Sequence, residues 1–147
     1  MFKLASGARR GGVLSPYLFA VYIDDVIQHV KSLNVGCMFW LVNASIILYA
    51  DDILLSAPSI YSLENLLLAC ETKLHELALA INVKKSVCIR IGPRCRSPCV
   101  PLVMPDGSEL CWVSSIRYLD VFIVRSCHLS CSFDNAKKSE LTAIGHN

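Results

Sequence analysis

Tyr49-Ala50-Asp51-Asp52 is the stretch of this chain with the most chemistry in it. Two adjacent carboxylates stand between apolar runs, Ser45-Ile46-Ile47-Leu48 before them and Ile53-Leu54-Leu55 after. Both runs are rich in residues that favour strands, so the pattern predicts a hairpin with the aspartates at its tip. Carboxylates held side by side repel each other, and neither gains from leaving water. A divalent cation with oxygen ligands neutralises such a pair, which makes Asp51 and Asp52 candidate ligands for a divalent metal ion. The plain alternative is a solvated polar turn, where aspartate is common.

The rest of the chain must position that tip. Its 147 residues suffice for one small domain with one core. Hydrophobic residues make up 54% and charged ones 18%, and the mean hydropathy is +0.48. Such a composition implies either an unusually large core or apolar surface to be covered by a partner or by further chain. The net charge of +2 does not by itself mark a nucleic-acid binder. The longest apolar stretch, Cys37 to Ala50, is too short to span a bilayer and contains Asn43 and Ser45, so no membrane association is expected. Met1 to Gly12 is basic and lacks the apolar segment of a signal peptide. The expected location is intracellular, nucleus or cytoplasm, with the eight cysteines as reduced thiols. Cys95-x3-Cys99 and Cys127-x3-Cys131, with His128 adjacent, have the composition of a zinc site. Their spacing is loose and the halves lie far apart, so no zinc is expected.

Arg9 and Arg10 precede a Gly11-Gly12 hinge, and Ser15-Pro16 reads as a helix cap followed by proline at the first helical position. The helix is predicted from Pro16 to about Leu33, with Leu18, Tyr22, Val26 or Ile27, and Val30 as its apolar stripe. Asp24 and Asp25 fall on its flank as solvated charges. Cys37 to Val42 reads as a short strand leading into the central hairpin. Pro58-Ser59 opens a second helix with Leu63, Leu67, Cys70, Leu74 and Leu77 on one face, ending near Ala78. Cys70 lies in that stripe and is a packing residue. Ser86 to Ile91 alternates as a strand, a loop runs from Gly92 to Pro98, a second hairpin forms around Pro105-Asp106-Gly107, and Tyr118 to Val124 reads as a last strand. Helix, hairpin, helix, strand, hairpin, strand predicts an α+β fold, an antiparallel sheet with helices packed on one face.

Four stretches in this order resemble the reverse transcriptases of non-LTR retrotransposons. Gly7-Ala8-Arg9-Arg10-Gly11-Gly12-Val13-Leu14-Ser15-Pro16-Tyr17-Leu18-Phe19 resembles their template-gripping motif. Tyr49-Ala50-Asp51-Asp52 resembles their catalytic hairpin, Leu79-Ala80-Ile81-Asn82-Val83-Lys84-Lys85-Ser86 the motif that follows, and Tyr118-Leu119-Asp120-Val121 the primer-grip motif. The resemblance implies a partial polymerase palm over residues 1–135 and the start of a thumb, expected to be disordered, over 136–147. It implies RNA-directed DNA polymerisation by two-metal nucleotidyl transfer. Asp51 and Asp52 would be ligands of Mg²⁺ or Mn²⁺, and Lys85 a cation or general acid near the departing pyrophosphate. Arg9, Arg10, Gly11, Gly12, Ser15, Pro16, Tyr49, Tyr118 and Leu119 would contact an RNA template and a DNA primer. In this sequence arginine stands at position 10 where the family usually has glutamine, alanine at 78 where it has glycine, and aspartate at 120 where it has glycine.

The family's catalytic set takes a third carboxylate from a strand upstream of the template motif, and six residues precede Gly7 here. The expectation is therefore a fragment that holds metal weakly, is inactive alone, and lacks fingers and thumb segments as partners. Two other readings stand beside it: a non-catalytic remnant that binds nucleic acid or protein, and an open reading frame without a selected function.

Overall fold

The computed structural model describes residues 15–119 and 121–132. The chain divides after Ile81 into two compact units.

The first unit contains helix α1 (Ser15–Ser32), a small hairpin of β1 (Met38–Phe39) and β2 (Val42–Asn43), a second hairpin of β3 (Ile46–Tyr49) and β4 (Asp52–Leu55), and helix α2 (Ile60–Glu76). Its core is Ile23, Val26 and Val30 from α1, Ile46 from β3, and Leu66, Cys70 and Leu74 from α2. Leu48, Ile53 and Leu55 of the β3–β4 hairpin pack against this cluster, so both helices bear on one face of the hairpin. The α1 stripe differs from the expected one. Tyr22 is 62% exposed, and Ile23, with Phe19 beside the cluster, takes its place. Helical spacing sets a period but leaves the rotation of the helix to its partners, and here α2 and β3 select the Ile23 side. Asp24 and Asp25 are exposed, and Asp25 Oδ2 lies 3.9 Å from Lys73 Nζ on α2.

Helix α2 begins where its capping residue predicts. Ser59 Oγ accepts from the Ser62 N–H at 3.0 Å, which satisfies one of the donors orphaned at a helix start. Among the stripe residues Leu67, Cys70 and Leu74 are buried. Leu63 and Leu77 sit at the margin, and Leu66 is the fully buried neighbour.

The second unit contains a 3₁₀ turn at Val83–Lys85 followed by strands β5 (Val87–Cys88), β6 (Leu102–Val103), β7 (Glu109–Trp112), β8 (Ser115–Tyr118), β9 (Val121–Val124) and β10 (Ser130–Ser132). They form two three-stranded sheets, β5-β7-β6 and β10-β9-β8. Cys88, Cys95, Leu102, Met104 and Leu110 are buried.

The class is α+β, with the strands spread over several small, mainly antiparallel sheets. The β5–β7 pair is parallel. Two stretches differ from their expected form. The strand expected at Ser86 to Ile91 is only Val87–Cys88, because its partner β7 ends at Trp112, opposite Cys88; further on, Gly92 turns the chain at φ +123° and its N–H donates to the Ser126 carbonyl. Tyr118 to Val124 is not one strand. It folds back on itself, since Tyr118 pairs with Val121 and Leu119 adopts φ +49°. The hairpin around Pro105-Asp106-Gly107 forms as expected, with Asp106 Oδ1 accepting from the Ser108 N–H at 2.8 Å. The 136–147 segment lies outside the described residues.

Candidate active site

The β3–β4 hairpin has two faces, set by the period-two alternation of a strand. The pairs Ile46↔Leu55 and Leu48↔Ile53 turn toward the helices. The pairs Ile47↔Leu54 and Tyr49↔Asp52 therefore belong to the opposite face. Tyr49 is 61% exposed there, directly across from Asp52. Ala50 and Asp51 form the two-residue turn, and Ala50 takes φ +51°. A positive φ at the first turn residue suits the twist of a tight hairpin. Asp51 thus stands at the tip and Asp52 at the first position of β4, both exposed. The two ion pairs among the described residues are made by Lys73, so neither aspartate has a cationic partner there.

The base of this hairpin is held from several directions. Ser56 N–H donates to the Ser45 carbonyl at 2.9 Å, and Cys37 N–H to the Ser56 carbonyl at 3.0 Å. Ser56 Oγ donates to the Ala44 carbonyl at 2.6 Å. Asn43 Nδ2 donates to the Lys31 carbonyl near the end of α1 at 3.1 Å, while Asn43 Oδ1 accepts from the Ser45 N–H at 3.0 Å. Gly36 lies so close that a Cβ there would meet Ser45 Cβ at 2.1 Å. Asn43 and Gly36 escaped the sequence reading, because their partners are backbone and side-chain atoms of other segments and leave no periodic signal.

Tyr118 and Leu119 occupy a similar place in another hairpin. Tyr118 ends β8, and Leu119 is an exposed turn residue. Lys85 is exposed in the 3₁₀ turn of the second unit. Of Ser15 and Pro16 the backbone alone is described, in the first turn of α1. Arg9, Arg10, Gly11, Gly12 and Asp120 lie outside the described residues.

Exposed carboxylate oxygens without cationic partners fit a hard divalent cation, which prefers oxygen donors. They supply part of a ligand set: among the described residues no group of three or more His, Cys, Asp or Glu side chains is placed to hold a metal ion. Among the described residues no helix is long and apolar enough to cross a membrane.

A model of the reverse transcriptase (RNA-dependent DNA polymerase) family matches residues 2–123, and the chain belongs to that family. The match spans the Gly7–Phe19 motif, the Asp51-Asp52 hairpin and all but the last residue of the β8–β9 hairpin. No curated protein and no solved structure matches it. Reverse transcriptases use divalent metal ions and bind an RNA template and a DNA primer.

Proposed function

We propose that this chain is part of the palm of a non-LTR retrotransposon reverse transcriptase, with Asp51 and Asp52 as its metal-binding carboxylates. The observation that carries the reading is the β3–β4 hairpin. Four apolar residues anchor one face on the helices and leave both aspartates exposed at the tip, opposite Tyr49. When bound, Mg²⁺ would supply charge stabilisation for transfer of a nucleotide to a primer hydroxyl. By the motifs they match, Asp51 and Asp52 would hold that cation and Tyr49 would face the nucleic-acid backbone; Lys85, by its own motif, would be a cation for the pyrophosphate. The Gly11-Gly12 hinge with Arg9 and Arg10, the first turn of α1, and Tyr118-Leu119 contact template and primer. The chain acts inside the cell.

Two carboxylates with no third among the described residues make a weak site, with dissociation constants on the order of millimolar. Such a site by itself favours little or no primer extension by this chain alone. Titration with Mn²⁺, followed by paramagnetic relaxation of water protons, tests this. Weak binding abolished by Asp51→Asn is expected. Binding unaffected by both Asp51→Asn and Asp52→Asn would overturn the assignment. Binding to an RNA–DNA hybrid should fall with added salt, since it rests on phosphate contacts by a few basic residues.

A further inference from the structure

The loop after β5 and the connection between β9 and β10 meet at a pair of thiols. Cys95 Sγ lies 3.6 Å from Cys127 Sγ, although 32 positions separate the residues. The backbone around both sulfurs is tied down. Gly92 N–H donates to the Ser126 carbonyl and Cys95 N–H to the Gly92 carbonyl, each at 2.9 Å. Arg125 Nε donates to the Cys95 carbonyl. The approach is thus set by the fold and is not a passing encounter of two loose side chains. The thiols differ in access: Cys95 is 3% exposed, whereas Cys127 is open to solvent. Neither residue belongs to the motifs that carry the family resemblance.

We propose that Cys95 and Cys127 form a reversible intramolecular disulfide by exchange with a small disulfide of the glutathione type. An S–S bond is about 2.05 Å long, so the sulfurs need to close by about 1.5 Å. Cys127 is the accessible thiol and reacts first. Its thiolate attacks one sulfur of the reagent, the reagent's S–S bond breaks, and one glutathione leaves as a thiolate. Cys95 then gives up its proton, and its thiolate attacks Cys127 Sγ. The bond between Cys127 and the second glutathione breaks, and that glutathione leaves with the electron pair. Both released thiolates take up the protons that the two cysteines lost. The protein loses two electrons and the reagent gains them. The closed bond staples the Gly92–Pro98 loop, with Arg94 and Arg96, to the β9–β10 connection.

The test uses the full chain, reduced and then incubated with oxidised glutathione before alkylation and peptide mapping. The expected dominant product is a Cys95–Cys127 cross-link that dithiothreitol reverses. Tryptic cleavage after Arg94 and Arg96 should be several-fold slower in the cross-linked protein. Cys95→Ser should trap glutathione on Cys127 as a stable mixed disulfide, and Cys131→Ser should leave the cross-link intact. Wild-type protein that stops at the mixed disulfide on Cys127 would overturn the proposal. So would cross-links that engage Cys99, Cys111 or Cys131 as readily as Cys95.

Discussion

Ala78 carries a cost that one atom group decides. It stands one residue past the Leu77 cap of α2 with φ +57°, its N–H donates to the His75 carbonyl at 3.0 Å, and the Leu79 N–H donates to the Leu74 carbonyl at 2.9 Å. This pair of bonds is a Schellman ending, which places a left-handed residue at the position of Ala78. Glycine adopts that conformation freely, although it also loses more entropy on folding. Ala78→Gly should stabilise the protein by about 0.5–1 kcal/mol, read as a higher urea midpoint, and an unchanged or lower midpoint would contradict the assignment. Two buried thiols give a second test. Burial, and then the charge of Glu71, raises the Cys70 pKa to about 11. Burial, and then Cys111 and Cys99, raises Cys88 to about 11. A thiol in the unfolded chain ionises near pH 9. Below that pH both states keep the proton and stability does not vary from this source. Between about pH 9 and 11 the unfolded chain releases its protons first, so stability falls as pH rises. Urea denaturation on either side of pH 9 should show the decline, and Cys70→Ala should make it shallower.

At the scale of elements, the first unit depends on the seam between α1, α2 and the β3–β4 hairpin. Leu66 is fully buried in it, so Leu66→Ala should cost about 2–5 kcal/mol through lost burial and the cavity left behind. Tyr22→Ala is the control, since Tyr22 faces solvent and its loss should cost little, about 0.5 kcal/mol or less. Ser59→Ala removes the α2 cap and should cost about 1 kcal/mol. Chemical denaturation followed by helix circular dichroism separates these outcomes. Equal losses for Leu66→Ala and Tyr22→Ala would mean that α1 presents a different face.

At the scale of the molecule, the composition leaves apolar side chains on the surface. They concentrate at the β1–β2 hairpin, where Phe39 is 72%, Trp40 88% and Leu41 96% exposed. An apolar patch of this kind drives association when nothing covers it. The chain expressed alone should self-associate at high concentration, and Trp40→Lys together with Leu41→Lys should lower the mass seen by light scattering. A clean monomer for the unsubstituted chain would contradict this.

Local rules were enough for the helix limits, the Ser59 cap and the tip that carries Asp51 and Asp52. Each is set by residues within a few positions of one another, through turn chemistry, capping or the alternation of a strand. The order of motifs was likewise legible, because it is a property of the chain and not of its packing. Tertiary structure decided what depends on distant partners. It turned Ile23 inward and Tyr22 outward, because a helical period fixes spacing but not rotation. It broke Tyr118 to Val124 at Leu119, because an apolar run reads the same as one strand or as two. It braced the β3–β4 hairpin through Asn43 and Gly36, and it brought Cys95 to Cys127 over a separation that no local pattern reaches.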